Sequence, residues 1–128
     1  MDPISNMLIQ MKNAGLSGHE HVLVPHSKVK LSIAELLKKE GYIRDVNPET
    51  KKSRQYLDIA LISNKRVPRI QGVKRISKPS KRIYKKNSEI RPVKNGYGLL
   101  VVSTPAGIMS GLEAKRARLG GEALFIIW

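Results

Sequence analysis

Residues 99–128 read LLVVSTPAGIMSGLEAKRARLGGEALFIIW, and this stretch decides the fold of the C-terminal half. An apolar run ends in a Ser-Thr-Pro-Ala-Gly corner, which indicates a strand followed by a turn. Ser110 is a good cap for a short helix, and Gly120 is placed to end it. The closing segment EALFIIW is apolar, and a terminal strand stays ordered only when it pairs within a sheet. The stretch therefore predicts a mostly β lobe with one short helix.

The first 64 residues predict a different arrangement, in which two amphipathic helices pack on a small sheet. In the first helix, apolar residues recur at the spacing of one helical face, and Gly15 is placed to end it. The second helix begins after Ser27, a good N-cap, and ends at Gly41. The residues expected to be buried on these helices are Ile4, Met7, Leu8, Met11, Val29, Ile33, Leu36 and Leu37.

Strands complete this N-terminal lobe. HEHVLVP predicts a short strand, with Val22 and Val24 on one face. YIRDV and YLDIALI flank the polar stretch NPETKKSRQ, which we interpret as a hairpin with a mobile basic loop. The predicted fold class is α+β with two small lobes: a helix–strand–helix–strand–strand lobe over residues 1–64, a linker over 65–72 and a mostly β lobe with one short helix over 73–128. Within the second lobe, turns are expected at 78–80 and 95–98.

The charge is concentrated in one quarter of the chain. The formal net charge is +14, with 24 Lys and Arg residues against 10 Asp and Glu residues. Residues 63–94 hold twelve of the basic side chains and a single acidic one, Glu89. Such a basic segment predicts a polyanionic partner, most often nucleic acid. A membrane surface is less favoured, because its usual signature is a basic amphipathic helix and the basic residues lie elsewhere.

Catalysis and metal binding are not expected. The chain has no cysteine, which excludes disulfides, thiolate metal sites and cysteine nucleophiles. Ser103 would need a neighbouring base to act as a nucleophile, but His19, His21 and His26 all fall in the first lobe. A His-x-His pair without a third ligand is a weak metal signal, and no apolar run approaches the roughly 18 residues of a membrane span. No enzyme, cofactor, metal, small-molecule substrate or membrane association is therefore expected.

A turn built from small hydroxyl residues can approach RNA closely. RNA is often recognised by shape across its shallow minor groove, through contacts to 2′-hydroxyls and phosphates. Ser103, Thr104 and Gly107 fit such a contact, although the two hydroxyls could equally cap the turn. The basic segment KRISKPSKRIYKK, residues 74–86, would bind phosphates nearby. Tyr84 within it could stack on a base or be a half-buried strand residue.

Several motifs together resemble the bacterial small-subunit ribosomal protein eight family. They are DPISNMLIQMKNA, VPHSKVKLSIAELLKKEGYI, VKRISKPSKRIY, NGYGLLVVSTPAGIM and EAKRARLGGEALFIIW, in this order along the chain. The resemblance implies a two-lobed, cytoplasmic protein of the small ribosomal subunit that acts in translation. It also implies a primary binder of the central domain of small-subunit ribosomal RNA, which nucleates subunit assembly beside neighbouring ribosomal proteins. Some family members also repress translation of their own messenger RNA.

The resemblance assigns roles to individual residues. It implies that the Ser-Thr corner enters an irregular RNA helix, that Tyr84 meets the same RNA and that Glu122 braces the corner. Pro105 and Ala106 depart from the Ser-Lys or Ser-Arg that family members commonly carry there. The alternative function is general nucleic-acid binding without preference for sequence or shape. The residues expected to bind RNA are Arg75, Lys78, Arg82, Tyr84, Lys85, Lys86, Ser103, Thr104, Pro105 and Gly107.

Overall fold

The computed structural model describes residues 2–64, 67–91 and 98–128. These form two compact units, Pro3–Gln71 and Gly72–Trp128, and Asp2 belongs to the second. Helices and antiparallel sheets give an α+β fold with a mostly β second unit, which confirms the predicted fold class. Within the described ranges, no helix has the length and apolar character that crossing a membrane requires. The turn predicted at 95–98 lies almost entirely outside the described residues.

The first helix, α1, spans Pro3–Leu16 and buries Met7, Leu8 and Met11, as its apolar spacing predicted, whereas Ile4 is only half-buried. The predicted stop at Gly15 was wrong, because the helix continues through that residue. A Cβ atom at position 15 would lie 3.2 Å from the Cβ atom of Pro68, so the glycine serves close packing. Gly18 instead takes the left-handed conformation after the helix, with φ of 80°.

The second helix, α2, spans Lys28–Lys39 and confirms both predicted boundaries. The Ser27 hydroxyl accepts a hydrogen bond from the Lys30 amide at 3.1 Å, and Gly41 has φ of 83° beyond the C-terminus. The prediction that Val29 is buried was wrong, since its side chain is 47% exposed. Lys30 is buried in its place, and its ammonium reaches the Pro25 carbonyl oxygen at 3.4 Å while its aliphatic stem is covered.

The sheet of the first unit has the order β1-β3-β2, with β1 at His21–Pro25, β2 at Ile43–Lys51 and β3 at Arg54–Leu61. Its pairing is antiparallel throughout, and Val24, Leu57 and Ile59 are fully buried. The mobile loop predicted between β2 and β3 was wrong, because most of that polar stretch is paired strand. Only Lys52 and Ser53 form the turn, with φ of 49° and 65°, the left-handed pair that tight hairpins require. Polar residues extend the ribbon because one of its faces is open to water.

A two-stranded sheet closes the first unit. β4 at Ser63–Asn64 pairs with β5 at Val67–Pro68, so the segment predicted as a linker over 65–72 carries a short strand. Ile70 after it is buried, and the Arg69 guanidinium lies 4.0 Å from the centre of the Tyr42 ring.

The second unit is built on a five-stranded antiparallel sheet. Its strands are β6 at Val73–Arg75, β7 at Tyr84–Lys85, β8 at Leu99–Thr104, β9 at Gly107–Ser110 and β10 at Gly121–Ile127. The order is β6-β10-β8-β9, and β7 also pairs with β10. The closing apolar segment is thus an interior strand, which confirms the prediction that it is ordered by pairing.

The third helix, α3, spans Gly111–Arg116 and packs against β8. Ser110 caps it as predicted, and Glu113 completes a capping box with that serine. The predicted stop at Gly120 was wrong, because the helix ends at Arg116 and Arg118 takes the left-handed conformation with φ of 57°. The core cluster on this face of the sheet consists of Ile90, Leu100, Val102, Ala114 and Ala123.

Candidate nucleic-acid interface

A hydrogen-bonded turn joins β8 to β9 at the predicted Ser-Thr corner. The Thr104 hydroxyl donates to the Gly107 carbonyl oxygen at 2.8 Å and accepts from the Ala106 amide at 3.2 Å. Pro105 has a φ fixed by its ring, and Gly107 adopts φ of 119°, where a side chain would be strained. Pro105, Ala106 and Gly107 are exposed, so the structure presents a small, preorganised turn to solvent.

The two hydroxyls of the corner have different surroundings. Thr104 is only 9% exposed and its hydroxyl is occupied within the turn. Ser103 is half-buried, and no hydrogen bond of its hydroxyl is found within the described part of the chain. The turn-capping interpretation left open by the sequence therefore describes Thr104, while Ser103 keeps a hydroxyl available to a ligand.

The Gly120–Gly121 pair lets three backbone segments meet beside this turn. A Cβ atom at Gly121 would lie 2.1 Å from the Ser103 carbonyl oxygen. A Cβ atom at Gly120 would lie 2.7 Å from the Lys85 carbonyl oxygen. Only glycine permits both approaches, because no side-chain movement can relieve a clash with backbone. The glycine pair is visible in the sequence, but its role in letting the backbones approach closely depends on which strands flank β10.

Ser103, Glu122 and Tyr84 form a row across three strands. Glu122 in β10 is paired with Ser103 on one side and with Tyr84 on the other. Residues paired in this way have their side chains on the same face of a sheet. Tyr84 is 67% exposed, so it is not the half-buried strand residue considered from the sequence. The row places an aromatic ring and a hydroxyl on one face of the sheet.

Glu122 supports the segment that leads to Tyr84. Its carboxylate accepts a hydrogen bond from the Ser77 hydroxyl at 2.5 Å and lies 3.3 Å from Nη1 of Arg82. The Ser77 hydroxyl in turn accepts from the Ile83 amide at 2.9 Å. Ser77 is fully buried, and no sequence pattern indicated that this serine belonged to the site. The Glu122 side chain thus has its hydrogen bonds with Ser77 and Arg82, while its backbone pairs opposite Ser103.

A basic turn projects between β6 and β7. Lys78 and Lys81 exchange backbone hydrogen bonds of 2.9 and 3.0 Å around Pro79 and Ser80, which confirms the turn predicted at 78–80. The chain pairs with β10 before and after this turn. The turn therefore interrupts one edge of the sheet, and its basic side chains, Lys78 and Lys81, lie outside the strands β6 and β7.

The predicted basic residues occupy different positions. Arg82 and Lys86 are exposed, and the Arg82 guanidinium forms an ion pair with Glu122. Lys85 follows Tyr84 in β7 and so points to the opposite face. Arg75 is largely buried, forms an ion pair with Asp2 at 2.7 Å and donates to the Leu124 carbonyl oxygen, which leaves little of it for a ligand.

The described residues also bear on whether the protein could hold a metal ion. No group of three or more His, Asp or Glu side chains suited to a metal ion occurs among the described residues. The three histidines belong to the first unit, where His21 pairs with Asp58 at 3.1 Å.

In the first unit, the Lys38 ammonium beside Asp45 lowers the pKa of that carboxyl, helped by a hydrogen bond from the Val46 amide.

Comparison with known proteins identifies the family. Residues 2–128 match the family model described as ribosomal protein S8. The chain is similar to small ribosomal subunit protein uS8 of Roseiflexus castenholzii, with 44% identity over 99% of this chain and 97% of the relative. The corresponding protein of Nitratidesulfovibrio vulgaris is 44% identical over 99% and 98%, and that of Bacillus cereus is 45% identical over 99% and 97%. The chain belongs to the ribosomal protein S8 family.

Proposed function

We propose that this chain is a structural component of the small ribosomal subunit in the cytoplasm and binds small-subunit ribosomal RNA through residues 73–128. The observation that carries the proposal is the Ser103–Glu122–Tyr84 row beside the exposed turn of β8 and β9. The family and the net charge of +14 support the same partner. Binding to the central domain of that RNA would nucleate subunit assembly, and the role is structural rather than enzymatic.

The small turn suits the shallow minor groove of an RNA helix. Its exposed residues, Pro105, Ala106 and Gly107, carry no long side chain, so the backbone can approach sugar hydroxyls and base edges. Ser103 supplies a hydroxyl that can donate and accept there. Thr104 shapes the turn from within, through its bonds to Ala106 and Gly107. Pro105 stands where family members commonly carry a serine, so a third hydroxyl is missing, but a turn held by internal hydrogen bonds loses less entropy on binding.

The flanking residues suit a structured RNA rather than a bare duplex. Tyr84 is free to stack on an unpaired base, an interaction worth about 1–3 kcal/mol per base. Arg82 and Lys86 are exposed near it and can neutralise phosphates. Because an unpaired base occurs only where a helix is irregular, this arrangement favours an RNA whose helix is interrupted near the bound turn.

The direct test compares three nucleic acids of equal length by filter binding at several salt concentrations. They are a central-domain fragment of small-subunit ribosomal RNA, a regular RNA duplex and a DNA duplex. We expect the fragment to bind most tightly and its affinity to fall with salt at a log–log slope of several units. Equal affinity for all three would overturn the proposal and favour general nucleic-acid binding.

A substitution at Ser103 tests the corner itself. Ser103→Ala removes a hydroxyl with no partner in the described chain, so we expect an unchanged free energy of unfolding and a loss of about 0.5–1.5 kcal/mol in binding to the central-domain fragment. Ser32→Ala on the exposed side of α2 is the matched control and should change neither quantity. Unchanged RNA affinity of Ser103→Ala would remove this hydroxyl from the interface.

A further inference from the structure

A second basic surface lies in the second unit, Gly72–Trp128, on the face of the sheet that carries α3. It is an open groove of about 550 Å³ between the basic turn and the edge of the sheet. Lys74 pairs with Ile126, and Ile126 pairs with Leu100 of the core cluster, which fixes the face on which the groove opens. The residues that line it are Lys74, Arg75, Ile76, Lys78, Lys81, Ile83, Lys85 and Ile126.

The floor of the groove is an uncovered continuation of the hydrophobic core. Ile76 and Ile126 pack against the core cluster but remain half-exposed, and Ile83 beside them is half-exposed as well. The short helix α3 packs chiefly on β8 and β9 and on the segment that follows β7. Three aliphatic side chains are thus left at the bottom of a groove that a partner could cover.

The rim of the groove is uniformly positive. Lys74, Lys78, Lys81 and Lys85 stand around the floor, and no ion pair of these lysines is found among the described residues. Arg75 has its charge matched by Asp2. No acidic residue lines the groove within the described ranges. An anionic ligand would suit this rim, since a neutral or basic one would leave four uncompensated ammonium groups near one another.

We propose that this groove binds an acidic segment of a partner protein that also carries aliphatic side chains. Carboxylates would pair with the lysine rim while aliphatic groups cover the isoleucine floor. RNA satisfies only half of this surface, because an isoleucine neither pairs with a phosphate nor stacks on a base as an aromatic ring does. The volume suits a few side chains, within the range of about 300–1,000 Å³ of ligand sites.

This surface lies on the face of the sheet opposite the Ser103–Glu122–Tyr84 row, and it includes Lys78 and Lys85, which were expected from the sequence to bind RNA. Val102 precedes Ser103 in β8, and Ala123 follows Glu122 in β10; both belong to the core cluster on the groove side. Neighbouring residues of a strand point to opposite faces, so Ser103 and Glu122 point away from the groove. The groove and the Ser103–Glu122–Tyr84 row therefore occupy opposite faces of the sheet. A partner protein in the groove would leave the row accessible, and both could be occupied together.

The test uses two fluorescein-labelled peptides with the full-length protein, measured by fluorescence anisotropy. One alternates Glu with Leu, and the other alternates Glu with Ser, so that charge is equal and only the aliphatic content differs. We expect the Glu-Leu peptide to bind about tenfold more tightly or better, because only it covers the isoleucine floor. An unlabelled single-stranded oligouridylate of equal length serves as the competing polyanion.

Charge reversal locates the binding. Lys74→Glu combined with Lys81→Glu should weaken binding of the Glu-Leu peptide about tenfold or more. Lys28→Glu combined with Lys52→Glu, two exposed lysines of the first unit, is the control of equal net charge and should change peptide affinity little. Circular dichroism of both double variants checks that they fold.

Three outcomes would overturn the proposal. Equal binding of the two peptides would show that the floor is not used and that only charge acts. Displacement of the peptide by oligouridylate at equal concentration would assign the groove to RNA. Equal losses in the groove variant and its control would show that the peptide follows the net charge of the protein rather than the groove.

Discussion

Ser103 and Tyr84 lie on the same face of the five-stranded sheet, one on each side of β10. Glu122 pairs with both of them, and the Gly120–Gly121 pair before it brings their strands close enough. The two residues are 19 positions apart in the sequence, yet one strand sets their spacing. The proposed RNA contact thus depends on β10 as much as on the turn that would enter the RNA.

Thr104 tests whether the turn is held from within. Thr104→Val keeps the shape of the side chain but removes both hydrogen bonds, to the Gly107 carbonyl and from the Ala106 amide. We expect the free energy of unfolding to fall by about 1 kcal/mol, measured by urea denaturation, and affinity for the central-domain fragment to fall with it. The loss of affinity reflects a disordered turn rather than a lost contact.

Thr104→Ser separates these effects, because it keeps the hydroxyl and should retain both stability and RNA affinity. A valine variant of unchanged stability but weakened binding would contradict the internal role and assign the hydroxyl to direct contact with RNA.

Gly121 tests the close approach of β8 and β10. In Gly121→Ala the added methyl would meet the Ser103 carbonyl oxygen, so we expect a loss of about 1–3 kcal/mol or more in the free energy of unfolding. RNA affinity should also fall, because the Ser103 end of the row must shift. Gly18→Ala is the control: it has open space but φ of 80°, so strain should reduce its stability without changing RNA affinity. Native-like amide chemical shifts at Ser103 in Gly121→Ala would contradict the close approach.

Lys38 and Asp45 give a pH-dependent contribution to stability in the first unit. The Lys38 ammonium lies 2.9 Å from the Asp45 carboxylate and lowers its pKa below the ordinary value of 3.8. A carboxyl with a lowered pKa in the folded state stabilises the protein above that ordinary value, and the contribution is lost as the pH falls through the folded pKa. Lys38→Met should therefore raise the pKa of Asp45, measured by carboxyl carbon NMR. Lys28→Met, on the same helix, should leave the titration unchanged.

The sequence predicted most of the fold because its local signals agree with the tertiary structure. The caps Ser27 and Ser110 and the stop at Gly41 are local features, and all three lie where the pattern indicated. The failures have tertiary causes. Gly15 and Gly120 resemble helix stops in the sequence, but each is required by a neighbouring segment that packs against it.

The candidate site was only partly predictable for the same reason. The Ser-Thr corner and the basic segment were evident, whereas the burial of Arg75 depends on Asp2, a residue 73 positions away. The separation of Lys85 from Tyr84 onto opposite faces follows from the register of β7 on β10. The buried serine at position 77 has no periodic signal, because its role rests on hydrogen bonds with Ile83 and with Glu122, which is 45 residues away.

Ser77 and Glu122 should be energetically coupled. The buried Ser77 hydroxyl donates to the Glu122 carboxylate at 2.5 Å and accepts from the Ile83 amide, so it fixes both ends of the basic turn. A double-mutant cycle of Ser77→Ala and Glu122→Ala, measured by urea denaturation, should give a coupling of about 1–3 kcal/mol, since hydrogen bonds to charged groups are strong. The matched cycle of Arg82→Ala with Glu122→Ala should give less than about 1 kcal/mol, because the Arg82 side chain is 59% exposed and its ion pair is screened. Equal couplings in the two cycles would contradict a special role for Ser77, and a turn that stayed ordered in Ser77→Ala would show that β10 holds it by backbone pairing alone.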